Sequence, residues 1–244
     1  MFFAVRPYSY GVIYRKGIEK MLGNVFILGD SYSTFGGYIP EGYSAYYTAE
    51  GPYYLQKFPE LKFNSNDVCD VTQTWWYNLV NENGTLTQNN SYSGTTLCNT
   101  GYNAKDDSEI SFIGRVEKLE KEGFFDKNRI DTVFIIGGTN DSFADSPLGK
   151  CMFSDWTKQD LYEVLPGFCY LADKLKHILP DADIYCILNT GLKKEITDGY
   201  KLACDRIGID AIELIDIDKV ECHPTVKGMR SIKNQILEYI NSKK

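Results

Sequence analysis

Short unbroken apolar runs alternate with amphipathic stretches along most of this chain. Val25 to Leu28, Thr132 to Ile136, Ile184 to Leu188 and Ala211 to Ile215 are such runs, and each ends in Gly, Asn or Asp. A short run without alternation fits a strand covered on both faces, as in a parallel sheet. A weaker strand is expected through Thr87, Gln88 and Asn89. Helical spacing fills the intervals. Thr72 to Val80 carries Trp75, Trp76 and Leu79; Ser108 to Glu122 places Ile110, Ile113, Val116 and Leu119 on one face. Ser154 or Asp155 is expected to cap a helix that runs through Leu161 to Ile178, kinked at Pro166. Lys193 to Arg206 and Val226 to Ile240 complete the set. Strict β-α alternation predicts a doubly wound parallel sheet.

Neither a Pro/Gly/Ser-rich linker nor an internal repeat interrupts this pattern, so 21–244 reads as one domain. Residues 1–20 lack clear periodicity, and Met21 opens directly into the first strand. The expectation is a native start at Met21 with 1–20 as an extension. The N-terminus makes a poor signal peptide and no run of about 18 apolar residues occurs, which argues for a cytoplasmic protein without a membrane span. Secretion stays open, as does the oligomeric state.

Composition then narrows the function. The net charge of −7 argues against a nucleic-acid partner. The 7 cysteines are scattered without CxxC or zinc-ligand spacing, so no metal site is expected. A Cys222–His223 nucleophile pair is disfavoured, because neighbours on extended backbone point apart. The chain has only 2 histidines, His177 and His223, so an imidazole base has two candidates. His177 lies near the end of a helical pattern, where it fits contact with terminal carbonyls. His223 follows the last strand, and Pro224 holds it in extended backbone.

Two long segments exceed scaffold needs. One, 32–66, contains Tyr38, Tyr43, Tyr46, Tyr47, Tyr53 and Tyr54; the other is 141–156. Long loops at the carboxyl ends of parallel strands are where such folds build sites. Three short blocks lie after successive strands. In Gly29-Asp30-Ser31, a serine at a strand end can point its hydroxyl into the crevice; taken alone, the segment reads more simply as a helix cap. Gly94 lets backbone approach a ligand closely, or merely serves a turn. In Gly137-Gly138-Thr139-Asn140-Asp141, Asn140 offers neutral N–H donors for a developing oxyanion, or caps a helix. A P-loop, a dinucleotide fingerprint and a GxSxG elbow are all missing from the sequence.

The order Ser31, Gly94, Asn140, His223 on these blocks resembles the SGNH (GDSL-type) hydrolase family, over about residues 24–240. The resemblance implies a flavodoxin-like three-layer α/β/α fold with a five-stranded sheet of order 2-1-3-4-5. It implies ester hydrolysis without a cofactor. Ser31 would be nucleophile and His223 general base, and Ser31 N–H, Gly94 N–H and Asn140 would form the oxyanion hole. One departure stands out. The family's acid three residues before the histidine is replaced by Val220. Asp218 or Glu221 could complete a triad, or a backbone carbonyl could orient His223 in a dyad. The expected substrate is a small ester, with an acylated sugar favoured over a lysophospholipid or thioester. Trp75, Trp76, Tyr38 and Tyr43 are candidate substrate contacts, with ordinary packing as the other reading. A binding module that has lost turnover is the competing class, and a flavin binder would lack its phosphate loop.

Overall fold

In the computed structural model, residues 21–51 and 66–243 are described. The expectations about 1–20, Tyr53 and Tyr54 therefore lie outside the described residues.

Five parallel strands, β1 (Gly23–Gly29), β2 (Gly84–Ser91), β3 (Thr132–Ile136), β4 (Asp183–Leu188) and β5 (Asp210–Glu213), form one sheet in the order β2-β1-β3-β4-β5. The flavodoxin-like α/β class and its strand order are as expected. The continuous apolar runs explain the layering. Successive side chains of a strand face opposite ways. Phe26 and Leu28 of β1, Val133 and Ile135 of β3, and Ile184 and Cys186 of β4 enter one core. Val25 and Ile27, Phe134 and Ile136, and Tyr185 and Ile187 enter the other. Helices α2 (Phe112–Lys121), α5 (Val164–Ile178) and α6 (Lys194–Ile207) cover the first face. Helices α1 (Trp75–Asn83) and α7 (Val226–Ser242) cover the second. Two short helices, α3 (Phe124–Lys127) and α4 (Thr139–Phe143), flank β3.

Several expectations need correction. The weak strand at 87–89 is the middle of the full-length β2, whose polar residues do not advertise a strand. Ser154 and Asp155 cap no helix. A 3-10 turn at Asp160–Tyr162 intervenes, and α5 begins only at Val164 after Glu163. Pro166 thus sits in the first turn, where its missing N–H has no intrahelical acceptor to satisfy, and it produces no break. The helix expected after β1 is a single 3-10 turn, Ser31–Ser33. A two-residue hairpin, β6 (Lys219–Val220) and β7 (His223–Pro224), was not legible in the hydrophobic pattern. Among the described residues no helix is long and apolar enough to cross a membrane.

Strand order reverses between β1 and β3, and open α/β sheets place their crevice beyond the carboxyl ends at such a point. Ser31 follows β1, Gly94 follows β2 and Asn140 follows β3.

Candidate active site

Asp30 ends β1 by capping the 3-10 turn, with Oδ1 accepting the Tyr32 N–H at 3.0 Å. This cap presents Ser31 at the crevice. Gly29 is required beneath it by close approach. A Cβ there would lie 2.6 Å from Ser91 Oγ and 2.8 Å from Ser33 Oγ. Both readings of the Gly-Asp-Ser segment are therefore realised, since Asp30 caps and Ser31 points into the crevice.

Ser31 Oγ lies 2.9 Å from His223 Nε2, and His223 Nδ1 lies 3.0 Å from the Glu221 carbonyl. A carbonyl only accepts, so Nδ1 carries the proton and Nε2 is left to accept from the serine hydroxyl. This is the geometry of a serine paired with a base in the correct tautomer. Asp218 does not take part. Its Oδ2 accepts from the Thr225 hydroxyl at the start of α7. Glu221 meets His223 through its backbone oxygen. Of the three orienters open to the sequence, the carbonyl is the one in contact with the ring. Cys222 is exposed, and the imidazole faces Ser31.

The hairpin explains how this arises. Val220 pairs with His223 across a two-residue turn, and its central residues Glu221 and Cys222 have φ of 47° and 66°. Positive φ at both positions is the signature of a type I′ turn, costly for residues other than Gly or Asn. The turn aims the Glu221 carbonyl back at the imidazole. Neighbouring side chains fix it. The Tyr32 hydroxyl donates to the Cys222 carbonyl, the Tyr47 hydroxyl to Pro224 O at 2.9 Å, and Asn66 Nδ2 to His223 O and Pro224 O at 3.2 and 2.9 Å. Burial lowers the His223 pKa to about 4, and the Lys219 ammonium pushes the same way against the Glu221 bond. The imidazole is therefore neutral, and able to accept a proton, through the physiological range.

On the other side, Gly94 has φ +82° with open space where a Cβ would stand. The constraint there is conformational, and its amide region is exposed. Asn140, in the first turn of α4, is 8% exposed. Its Nδ2 donates to Thr95 O at 2.9 Å, and its Oδ1 accepts from the Tyr102 hydroxyl at 2.9 Å. These two bonds fix the amide orientation and leave one Nδ2 hydrogen unused by them. The neighbouring Asp141 instead accepts the Leu97 and Cys98 N–H groups, holding the loop after β2 against α4. Its carboxyl is nonetheless raised by burial.

A buried guanidinium lies beneath both halves. Arg115 is 1% exposed; its Nη2 donates to Gly29 O at 3.1 Å and Thr95 Oγ1 at 3.3 Å, and its Nη1 to the Asn90 carbonyl. It ties the ends of β1 and β2 to the loop that carries Gly94. Burial pushes Arg115 down to about 10 and Asp30 up to about 7, each partly offset by the other's charge.

Other candidate residues separate clearly. Trp75 and Trp76 are 0% and 1% exposed, so as substrate contacts they are corrected to core residues. Trp75 donates to Ser33 Oγ at 3.2 Å and packs edge-on against Phe134. Tyr38 is 43% exposed, and Tyr43 stacks on Tyr92 at 4.6 Å. Tyr46 and Tyr47 are buried. His177 contacts the Asp173 carbonyl one turn back in α5, before the start of β4, and so lies at the opposite end of the sheet. Tyr102, Arg115, Tyr32 and Asn66 were missed from the sequence. Each acts through a polar group on partners distant in sequence, which leaves no local pattern.

A parallel-sheet fold with a serine–histidine pair above its switch point defines the class of α/β hydrolases that lack a nucleophile elbow. The family of GDSL-like lipases/acylhydrolases matches this chain over residues 23–240, and the chain belongs to it. It is an ester-cleaving hydrolase. A solved structure from Bacteroides ovatus, assigned as a GDSL-like lipase, is 43% identical over 91% of this chain and 99% of that chain, with a TM-score of 0.79. One from Bacteroides uniformis, assigned likewise, is 42% identical over 91% and 96%, with a TM-score of 0.78. A family two carbohydrate esterase from Clostridium thermocellum shares the fold at 17% identity, over 92% of this chain and 65% of that chain, with a TM-score of 0.58. A search of the curated proteins found no match.

Proposed function

We propose that this enzyme hydrolyses a carboxylic ester through a Ser31–His223 dyad, with a carbohydrate acetyl ester as substrate. The observation that carries the reading is the chain of contacts from Ser31 Oγ to His223 Nε2 at 2.9 Å and from Nδ1 to Glu221 O at 3.0 Å. His223 takes the Ser31 proton as the oxygen attacks the ester carbonyl. The oxyanion is held by the Ser31 and Gly94 N–H groups and Asn140 Nδ2. As the tetrahedral species collapses, His223 gives its proton to the leaving alcohol. Water, deprotonated by the same imidazole, then attacks the acyl-enzyme and releases the acid and free Ser31. A carbonyl orienter keeps the tautomer, whose loss costs a serine hydrolase about 10⁴ in rate. It adds no negative charge beside the imidazolium.

The carbohydrate reading draws on the rim. The exposed Tyr38 and Tyr102 and the Tyr43–Tyr92 stack offer flat aromatic faces. Tyr43 and Ile110 also wall a groove of about 450 Å³, to which Ser108, Glu109, Glu117 and Lys118 bring polar groups able to bind hydroxyls. The test is a panel of acetylated sugars and p-nitrophenyl esters of graded chain length, run beside Ser31→Ala. The reading expects acetyl esters of sugars to be cleaved best and Ser31→Ala to be inactive. Preference for long acyl chains would replace it with a lysophospholipase-type specificity, and full activity in Ser31→Ala would sink the dyad.

A further inference from the structure

A carboxylate orienter grips a catalytic imidazole by a strong, charged bond at Nδ1. Here the grip at Nδ1 is a neutral carbonyl. Both of the ring's hydrogen bonds, to Ser31 and to Glu221, lie along its edge. Edge bonds alone resist tilting of the plane poorly. The face is held by something else. The Tyr46 ring lies parallel to the His223 ring, with centroids 3.5 Å apart and planes 7° from coincidence. Tyr32 and Tyr47 approach the same imidazole at 5.6 and 6.3 Å, tilted and edge-on. Tyr46 itself is braced edge-on by Tyr47 at 4.7 Å.

The stack is tied to the nucleophile. The Tyr46 N–H donates to Thr34 Oγ1 at 2.9 Å, and the Thr34 hydroxyl donates to Ser31 O at 2.9 Å. One threonine thus keeps the serine turn and the tyrosine loop in register. Tyr46 is 6% exposed, so it has no open face for substrate. Its ring is committed to the histidine.

We propose that Tyr46 is a positioning residue for His223, clamping the imidazole by its face and keeping it dry, in place of the acid that Val220 has displaced. The inference rests on the Ser31–His223 reading above. Two consequences follow from the geometry. The electron-rich phenol face favours the imidazolium that forms when Ser31 gives up its proton. The same cover shields the resting imidazole from water, and of these opposed effects on its protonation the shielding is the larger, since burial is the main cause of the lowered His223 pKa. The groups facing His223 are Tyr32 from the 3-10 turn and Tyr46 and Tyr47 from the loop after it; the Lys219 ammonium of β6, seated over the Tyr32 ring, acts on it through its charge, and Glu221 and Cys222 lie on its own turn. Of these, Tyr46 covers the ring most closely. Removing it opens the imidazole to water while leaving Lys219 in place.

The test is kcat and KM for p-nitrophenyl acetate from pH 3.5 to 9, in the full chain, for the parent, Tyr46→Ala, Tyr46→Leu and Tyr46→Phe. Tyr46→Ala is expected to lower kcat about 10–100-fold with KM changed less than about threefold, since the base is misplaced and substrate binding is not. Its acid limb in kcat/KM should rise from near pH 4 toward the ordinary histidine value of about 6.5. Tyr46→Phe keeps the plane and should restore both. Tyr46→Leu fills the volume without a π face. It should fold if Ala does not, and should lose kcat as Ala does. A parental kcat and acid limb in both Ala and Leu, or a Phe variant as defective as Leu, would overturn the proposal. An active Ser31→Ala would instead overturn the dyad itself, so the two failures are distinguishable.

Discussion

The two sides of the crevice are built by opposite means. On the base side, His223 stands on a turn whose carbonyls are pinned by Tyr32, Tyr47 and Asn66, under a buried tyrosine. On the proposed oxyanion side, Gly94 is exposed and the buried Asn140 is held by Tyr102, itself 41% exposed. Each side uses a tyrosine hydroxyl as anchor, and each carries non-glycine residues at positive φ. These are Glu221 and Cys222 in one turn, and Asn103 and Ala104 in the other at 57° and 56°. Such residues cost of order 1–3 kcal/mol apiece and persist only where their surroundings enforce them. The difference teaches a division of labour. A base that lacks an acid partner must be immobilised by packing. The proposed oxyanion donors, exposed Gly94 and buried Asn140, are set instead by backbone conformation and by the Thr95 and Tyr102 hydrogen bonds.

This contrast can be broken from either side. The largest expected effect is on the proposed oxyanion side. Asn140→Ala should lower kcat by about 10²–10³ with little change in KM, because the donor acts only on the transition state. An equal rise in KM would show that Asn140 binds ground-state substrate instead. Tyr102→Phe removes the bond to Asn140 Oδ1 but keeps the ring, so the amide loses its orientation without losing its donor. The expected drop in kcat is about fivefold, the rate equivalent of one neutral hydrogen bond of about 1 kcal/mol. No change would mean that the Thr95 contact alone sets the amide.

The base side predicts insensitivity where a triad would predict collapse. Glu221→Gln and Asp218→Asn should each change kcat/KM by less than about threefold, since neither carboxylate orients His223 while the Glu221 carbonyl survives both changes. A loss near 10⁴ in either variant would restore a charged orienter. The pH profile sharpens the same point. Burial favours the neutral imidazole, so the base stays competent as pH falls until it protonates near pH 4. Below that, activity should fall. A limb near 6.5 would mean that the ring is wetter than its packing implies.

Sequence and structure agree best where one residue carries one local signal. The buried strands were legible because parallel strands covered on both faces need unbroken apolar runs, as in Val25 to Leu28. Ser31, Gly94, Asn140 and His223 stood out through the order of their blocks along the chain, and the structure brings Ser31 Oγ within 2.9 Å of His223 Nε2. β2 was nearly hidden, because Asn89, Asn90 and Ser91 are buried polar residues whose bonds are made only in the fold. The hairpin at 219–224 was hidden for a different reason. Glu221-Cys222 carries none of the Asn or Gly that marks such a turn, and tertiary bonds from Tyr32 and Asn66 override local preference. The tyrosine-rich loop showed as composition alone. Only tertiary structure separates Tyr46 and Tyr47, packed against His223, from the exposed Tyr38 and from Tyr43, stacked on Tyr92.

The central claim is that Ser31 is activated by His223 in a dyad. Reaction of the full chain with a fluorophosphonate, followed by peptide mass spectrometry, tests it most directly, since only an activated serine forms the stable phosphonyl adduct. The account predicts one adduct per chain, on Ser31, abolished in Ser31→Ala and strongly slowed in His223→Ala. A chain that hydrolyses esters while Ser31 stays unlabelled, or that is labelled equally well without His223, would contradict it.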